Sequence, residues 1–364
     1  MLPFFTQVSF ADLLQEQAKL NNKVVKGMQS LSKLREEDIA IGLAPKEEVY
    51  REDKIVLYHY QPVEESLLGI PILIVAGLIN RPFMADLEEK KSLIANLVEL
   101  GLDVYLIDWG YPTRADRWLT LDDYINGYLS NCIDVVRKRH GLEQINLLGL
   151  CQGGNFSLCY SSIHPDNVKN LIVMVTPVDF HIPRLLNLRA GVTLGAEAID
   201  IDLVVDSFGN VPGDFLNVEF LMLKPYQNGI QKYIDSLEIM ESEDKLLTFL
   251  RMEKWIFDSP DQAGEAYRQF MKDFYQQNKL IKGELVIGDN LIELDKIRMP
   301  VLNIYGEKDH MVPPPSSVVL QKYISSEDYT IRSFPVGHIG IYVSSKVQKE
   351  LPSTIKNWLQ ERTS

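Results

Sequence analysis

One cysteine lies between two glycines, each two residues away, in Gly149-Leu150-Cys151-Gln152-Gly153-Gly154. The run before it, Ile145 to Leu148, is mostly apolar and reads as a short buried strand. The residues after it, Asn155 to Tyr160, can continue as a helix. Strand, tight turn and helix make a nucleophile elbow, with Cys where the G-x-S-x-G pattern has Ser. Such a turn strains the nucleophile's backbone and admits only glycine-sized neighbours. It also aims the next backbone N–H, that of Gln152, at the place where an oxyanion would form. Two more side chains complete a chemical set. Asp309 follows the apolar run Val301 to Tyr305, and His338 sits in Gly337-His338-Ile339-Gly340 after another strand-like run. A histidine can take the thiol proton, and a carboxylate can fix the histidine tautomer and support its charge. A sulfur nucleophile exchanges with a thioester at almost no free-energy difference, and its acyl group stays activated. The residue type therefore favours acyl transfer from a thioester donor, such as an acyl-CoA, over plain ester hydrolysis.

A strand must precede each of these residues, and the sequence supplies them. Strands are expected at Lys54–Tyr60, Ile70–Ala76, Asp103–Asp108, Ile145–Leu148, Leu171–Val175, Pro300–Tyr305 and Tyr329–Phe334. Helices are expected at Leu93–Leu100, from a capping box at Thr120 to about Arg139, and at Ser345–Arg362 with a break at Pro352. The first half alternates strand and helix, which argues for a mostly parallel central sheet with helices on both faces. The order nucleophile, acid, histidine along the chain is that of an α/β-hydrolase fold. In that layout the loop after Ile70–Ala76 supplies a second oxyanion N–H, from Leu78 or Ile79. The rhythm breaks near residue 180, where aromatic-rich, helix-like stretches begin. The expected organisation is an N-terminal helical segment over 1–45, core over 46–180, an inserted helical cap over 181–290, and core again over 291–364. His310, beside the acid, is a candidate to touch substrate. Cys132 and Cys159 read as core residues.

Composition narrows the function further. The formal charge is −13, with 46% apolar and 24% charged residues. That balance argues against nucleic-acid binding, which needs a basic footprint. The cysteines show no metal-ligand spacing and fit a reducing compartment. The longest apolar run, Ile70 to Ile79, is too short for a transmembrane segment. Arg251, Lys254, Arg268 and Lys272 are basic candidates for CoA phosphates.

Longer stretches are more specific than any one motif. They include Ile79-Asn80-Arg81-Pro82 with Asp86-Leu87, Tyr105 to Pro112, Leu119 to Tyr128, the elbow, and Val175 to Phe180. Others are Phe249 to Trp255, Asp273 to Asn278, Asp309-His310 and Gly337 to Gly340. Over nearly its whole length the chain resembles the catalytic subunit of the short, two-subunit class III polyhydroxyalkanoate synthases. The pattern departs at Val75-Ala76-Gly77-Leu78, before the oxyanion loop. The resemblance implies polymerisation of (R)-3-hydroxyacyl-CoA, chiefly 3-hydroxybutyryl-CoA, into polyester with release of CoA. It maps the catalytic Cys, Asp and His onto Cys151, Asp309 and His338, and gives Asp309 a possible direct part in activating the substrate hydroxyl. Asn80, Asn278 and His310 become candidate substrate contacts. It implies no cofactor beyond the CoA thioester itself. Its implied partners are the growing polyester at a cytoplasmic granule surface, an accessory synthase subunit of the PhaE type, and a second copy in a homodimer. A thioesterase or lactone hydrolase of the same fold, and a non-catalytic binding module, are the alternative readings.

Overall fold

The computed structural model describes residues 31–62, 69–182, 199–223 and 242–363, with isolated positions 15, 17, 25 and 239. The N-terminal helical segment expected over 1–45 therefore lies mostly outside the described residues. Eight strands form one sheet in the order β1-β2-β4-β3-β5-β6-β9-β10. They are β1 (Glu47–Glu52), β2 (Ile55–Tyr60), β3 (Ile72–Val75), β4 (Val104–Asp108), β5 (Ile145–Leu150), β6 (Val168–Met174), β9 (Val301–Gly306) and β10 (Tyr329–Phe334). β2 runs antiparallel to both β1 and β4, and every other pairing is parallel. A two-stranded ribbon, β7 (Val286–Ile287) and β8 (Asn290–Leu291), stands apart.

The inner strands read as unbroken apolar runs because both of their faces are covered. Leu73, Val75, Tyr105, Ile107 and Leu147 enter a core with α2 (Ser130–His140) and α3 (Gln152–Ile163). Their alternates Ile72, Ile74, Val104, Leu106 and Leu148 enter a second core with α1 (Leu93–Glu99) and the C-terminal helix Ser345–Gln360. Period-two alternation thus divides one apolar strand between two cores.

β1 has no counterpart among the expected strands. Its sequence is Glu47-Glu48-Val49-Tyr50-Arg51-Glu52, and no residue in it is fully buried. Charge on an edge strand blocks further pairing, and the same charge removes the apolar signature. The expected break at Pro352 does not occur, because Ser345–Gln360 is one helix with Pro352 inside it. Proline leaves the carbonyl four residues earlier without its helical donor. That carbonyl, on Gln348, instead accepts a hydrogen bond from Asn96 Nδ2 at 3.3 Å. The expected box at Thr120 forms: Asp123 Oδ2 accepts from the Thr120 N–H and hydroxyl, both at 2.7 Å.

Between β6 and β9 the described residues hold α4 (Ile201–Phe208), α5 (Gly213–Leu223), α6 (Glu243–Phe257) and α7 (Gly264–Gln269), which continues as a π-helix over Phe270–Gln276, besides shorter turns and the ribbon. A small third core of Ile201, Val205, Val211, Leu216 and Tyr267 holds part of this region together, and Ile79 of the main domain packs on it.

Candidate active site

Parallel strands of an open α/β sheet present their C-terminal ends to one crevice. β5 lies between β3 and β6, with Val75 opposite Gly149 and Leu150 opposite Met174. The loop after β3 is thereby brought beside the turn after β5. Cys151 occupies that turn with φ 51° and ψ −118°, a conformation a side chain rarely adopts. Its N–H donates to the Met174 carbonyl at 2.9 Å, which ties the strained residue to the neighbouring strand. A Cβ on Gly153 would overlap the Val75 carbonyl, and one on Gly154 would overlap the Thr176 side chain. The two glycines after the cysteine are thus required by close approach.

β9 and β10 deliver the other two residues. Phe334 pairs with Gly306, and the chains stay joined past the strand ends through Glu307 N–H to Phe334 O at 2.8 Å and Lys308 N–H to Val336 O at 3.0 Å. Asp309 Oδ2 lies 2.7 Å from His338 Nδ1. Its other oxygen accepts the N–H groups of Met311 and Val312, each at 2.9 Å. Asp309 and His338 are both buried. Burial works against a charged His338, but neighbouring Cys151 and the hydrogen bonds to Asp309 and Cys151 prevail and push it up to about 10. Cys151 is thus the neighbour that most favours the charged form of the imidazole. Cys151 itself is half-buried against the apolar core that also takes in Phe83, Met252, Trp255 and Ile339.

The remaining expected residues divide. Leu78 donates its N–H to Gln152 Oε1 at 2.7 Å. Asn80 Nδ2 hydrogen-bonds Ser259 Oγ, across to the inserted region. Asn278, a buried residue in the left-handed region at φ 52°, accepts the Phe180 N–H at 3.1 Å and donates to Asp179 Oδ1 at 2.9 Å. Its amide holds the exit of β6 in place. His310 is exposed, unlike its neighbour Asp309. Three of the four basic candidates sit against acids. Arg251 meets Glu88 at 2.6 Å, Arg268 meets Asp206 at 2.7 Å together with Asp202 and Glu265, and Lys272 meets Asp202 at 2.8 Å. Cys132 and Cys159 are fully buried, and burial pushes both thiols up, which suits core residues.

Two nearby residues escaped the sequence reading. Tyr342 stands four residues after His338, one helical turn on, and is buried. Burial first, then Cys151 and Asp309, hold its phenol well above the usual range. That spacing was a usable signal. Gln262 donates from Nε2 to the Leu78 carbonyl at 2.6 Å. A lone glutamine in a strand-poor insertion carries no signal of its own.

Comparison with known proteins agrees with this fold and gives the family. Residues 70–345 match the model of the alpha/beta hydrolase fold, and residues 8–97 match the model of the poly-beta-hydroxybutyrate polymerase (PhaC) N-terminus. Among solved structures, an esterase from Exiguobacterium antarcticum superposes with a TM-score of 0.51 at 20% identity, over 84% of this chain and 96% of that one. A thermophilic esterase from Thermogutta terrifontis gives 0.50 at 16% identity, over 88% of this chain and 100% of that one. The chain is 63% identical to the poly(3-hydroxyalkanoate) polymerase subunit PhaC of a Synechocystis strain, over 100% of this chain and 96% of the relative. It is 52% identical to the protein of the same name from Allochromatium vinosum, over 96% and 97%. A cysteine on a strained elbow, near a buried histidine–carboxylate pair, thus occurs in a chain that belongs to the poly(3-hydroxyalkanoate) polymerase PhaC family, on an α/β-hydrolase fold.

Proposed function

We propose that the chain polymerises (R)-3-hydroxyacyl-CoA, chiefly 3-hydroxybutyryl-CoA, through a covalent thioester on Cys151. The observation that carries this reading is the cysteine elbow with His338 and Asp309 behind it, in a chain so similar to named polymerases. His338 accepts the thiol proton and the thiolate attacks the substrate carbonyl. A new C–S bond to Cys151 forms, the C–S bond to CoA breaks, and the proton leaves on the CoA thiol. The 3-hydroxyl of another acyl unit then attacks the Cys151 thioester. Its proton passes to His338, an ester C–O bond forms, and the cysteine sulfur is released. Gln152 N–H and an amide of the loop after β3 stabilise the oxyanion in both steps.

Asp309 acts on this reading by orienting His338. One oxygen holds the imidazole and the other is occupied by two backbone amides. The substrate hydroxyl is therefore left to His338. The inserted region between β6 and β9 serves as the cap that keeps water from the thioester. Among the described residues no helix is long and apolar enough to cross a membrane. The family resemblance supports work at a cytoplasmic polyester granule, with an accessory synthase subunit and as a homodimer.

The test is CoA release from (R)-3-hydroxybutyryl-CoA, with the product weighed, for wild type and Cys151→Ala, each with and without a co-expressed accessory subunit. Insoluble polyester that disappears in the variant is the expected result. CoA release with only free hydroxybutyrate would instead make the chain a thioesterase. No release even with the accessory subunit would overturn the reading.

A further inference from the structure

The peptide groups around Leu78 are held from two sides by buried glutamines. The Leu78 N–H donates to Gln152 Oε1 at 2.7 Å, and the Leu78 carbonyl accepts from Gln262 Nε2 at 2.6 Å. Gln152 and Gln262 are 4% and 3% exposed, so neither bond competes with bulk water. Gly77 makes room for the first, since a Cβ there would come within 3.0 Å of the Gln152 side chain. The Leu78 carbonyl belongs to the same peptide unit as the Ile79 N–H. In a planar trans peptide those two groups point in opposite directions. A donor fixed on the carbonyl therefore fixes the direction of the Ile79 N–H, and polarises it as a donor. Among the described residues no acceptor for the Ile79 N–H is found. Gln262 is itself held by two backbone bonds to Val211, at 2.9 and 2.8 Å, within the inserted region.

We propose that Gln152 and Gln262 are positioning residues that select the Ile79 N–H, not that of Leu78, as the second oxyanion donor, and that Gln262 makes this donor depend on the inserted region staying in place. The proposal rests on the reading that Cys151 is acylated by a CoA thioester. Leu78 cannot offer its N–H without breaking a buried bond to the residue that supplies the first donor. When the segment carrying Val211 and Gln262 moves away, the Leu78–Ile79 peptide loses its anchor and the oxyanion site loses one of two donors. Acylation is then confined to the covered state, in which the new thioester is shielded from water.

The test compares two reactions of Cys151 in the full chain. Alkylation by iodoacetamide displaces iodide from a saturated carbon and forms no oxyanion. First-turnover CoA release from (R)-3-hydroxybutyryl-CoA forms one. Gln262→Leu and Gln262→Glu each remove the amide donor, and the second keeps the side-chain shape. Both should lower the maximal acylation rate at least tenfold. The half-saturating concentration should stay within about threefold and the alkylation rate within about twofold. Gln152→Glu keeps an acceptor for the Leu78 N–H and should retain more acylation than Gln152→Leu. An unchanged acylation rate in both Gln262 variants would overturn the proposal. Alkylation falling in step with acylation would overturn it too, because the damage would then be to the nucleophile. Wild type that alkylates but releases no CoA even with the co-expressed accessory subunit would remove the reading of the site as an acyl-transfer centre, and this proposal with it.

Discussion

Asp309 grips His338 with one carboxylate oxygen, at 2.7 Å, while its other oxygen is fixed by the N–H groups of Met311 and Val312. The carboxylate cannot rotate without breaking two amide bonds, so the imidazole is held in one orientation and one tautomer. Asp309→Asn would present an amide N–H or a weaker acceptor to Nδ1 and favour the wrong tautomer. CoA release should fall by about 10²–10⁴-fold with little change in the half-saturating substrate concentration. Steady-state kinetics of CoA release checks this.

The charge state of His338 has a definite pH signature. Its pKa lies above the ordinary value of ~6.5, at about 10, with burial opposing the charge and Cys151 as the largest favourable influence. A raised value means that the stabilisation from the protonated ring is complete below ~6.5 and is lost as pH rises through about 10. The low-field proton resonance of the His338–Asp309 bond should persist well above neutral pH in wild type. In Cys151→Ala its titration should move to lower pH. An unmoved midpoint would count against the pairing of sulfur and imidazole.

The elbow should tolerate no added carbon. A Cβ at Gly153 meets the Val75 backbone, and one at Gly154 meets Thr176. Gly153→Ala forces a main-chain strand to move and should cost more than about 4 kcal/mol, or prevent folding. At Gly154 the obstacle is a side chain, so Gly154→Ala should be partly rescued by Thr176→Gly. Urea unfolding of the single and double variants separates the two cases.

Arg251 ties α6 to the main domain. It donates to Glu88 at 2.6 Å and to the Asp38 carbonyl at 2.7 Å, while Thr248 of the same helix also hydrogen-bonds Glu88. Arg251→Leu should weaken this attachment by about 1–3 kcal/mol, as for lost hydrogen bonds to charged groups. Faster amide exchange in Glu243–Phe257, with exchange in β5 unchanged, is the expected result by mass spectrometry.

His59 links β2 to its neighbours at the far edge of the sheet. Its ring nitrogens lie 3.0 Å from Glu47 and 2.6 Å from Asp103, and its ring stacks on Tyr105. Burial lowers its pKa, but the hydrogen bonds to Asp103 and Glu47 outweigh burial and leave it raised. The sign follows as for His338: this stabilisation is present below ~6.5 and is lost as pH rises through the raised value. The stability difference between wild type and His59→Gln should therefore shrink from pH 6 toward alkaline pH. Denaturant midpoints measured across that range check it.

Residue type and chain order were enough to mark Cys151, Asp309 and His338, because the elbow needs its glycines and the two partners each follow a readable strand. The parallel sheet was legible for the same reason: strands covered on both faces must be apolar throughout. β1 was not legible, since an edge strand protected by charge loses the pattern that identifies strands. Pro352 was misread, because the residue that stabilises its helix, Asn96, lies on α1 and reaches Gln348 only in three dimensions. The contacts of Leu78 with Gln152 and Gln262 span 74 and 184 positions. The sequence by itself determined the kinds of chemistry available and the order of the elements that carry them, since both follow from side-chain type and local periodicity. Only the tertiary structure decided which amide, carboxylate oxygen and glutamine meet at the site, because hydrogen bonds between distant segments depend on packing that no local pattern records.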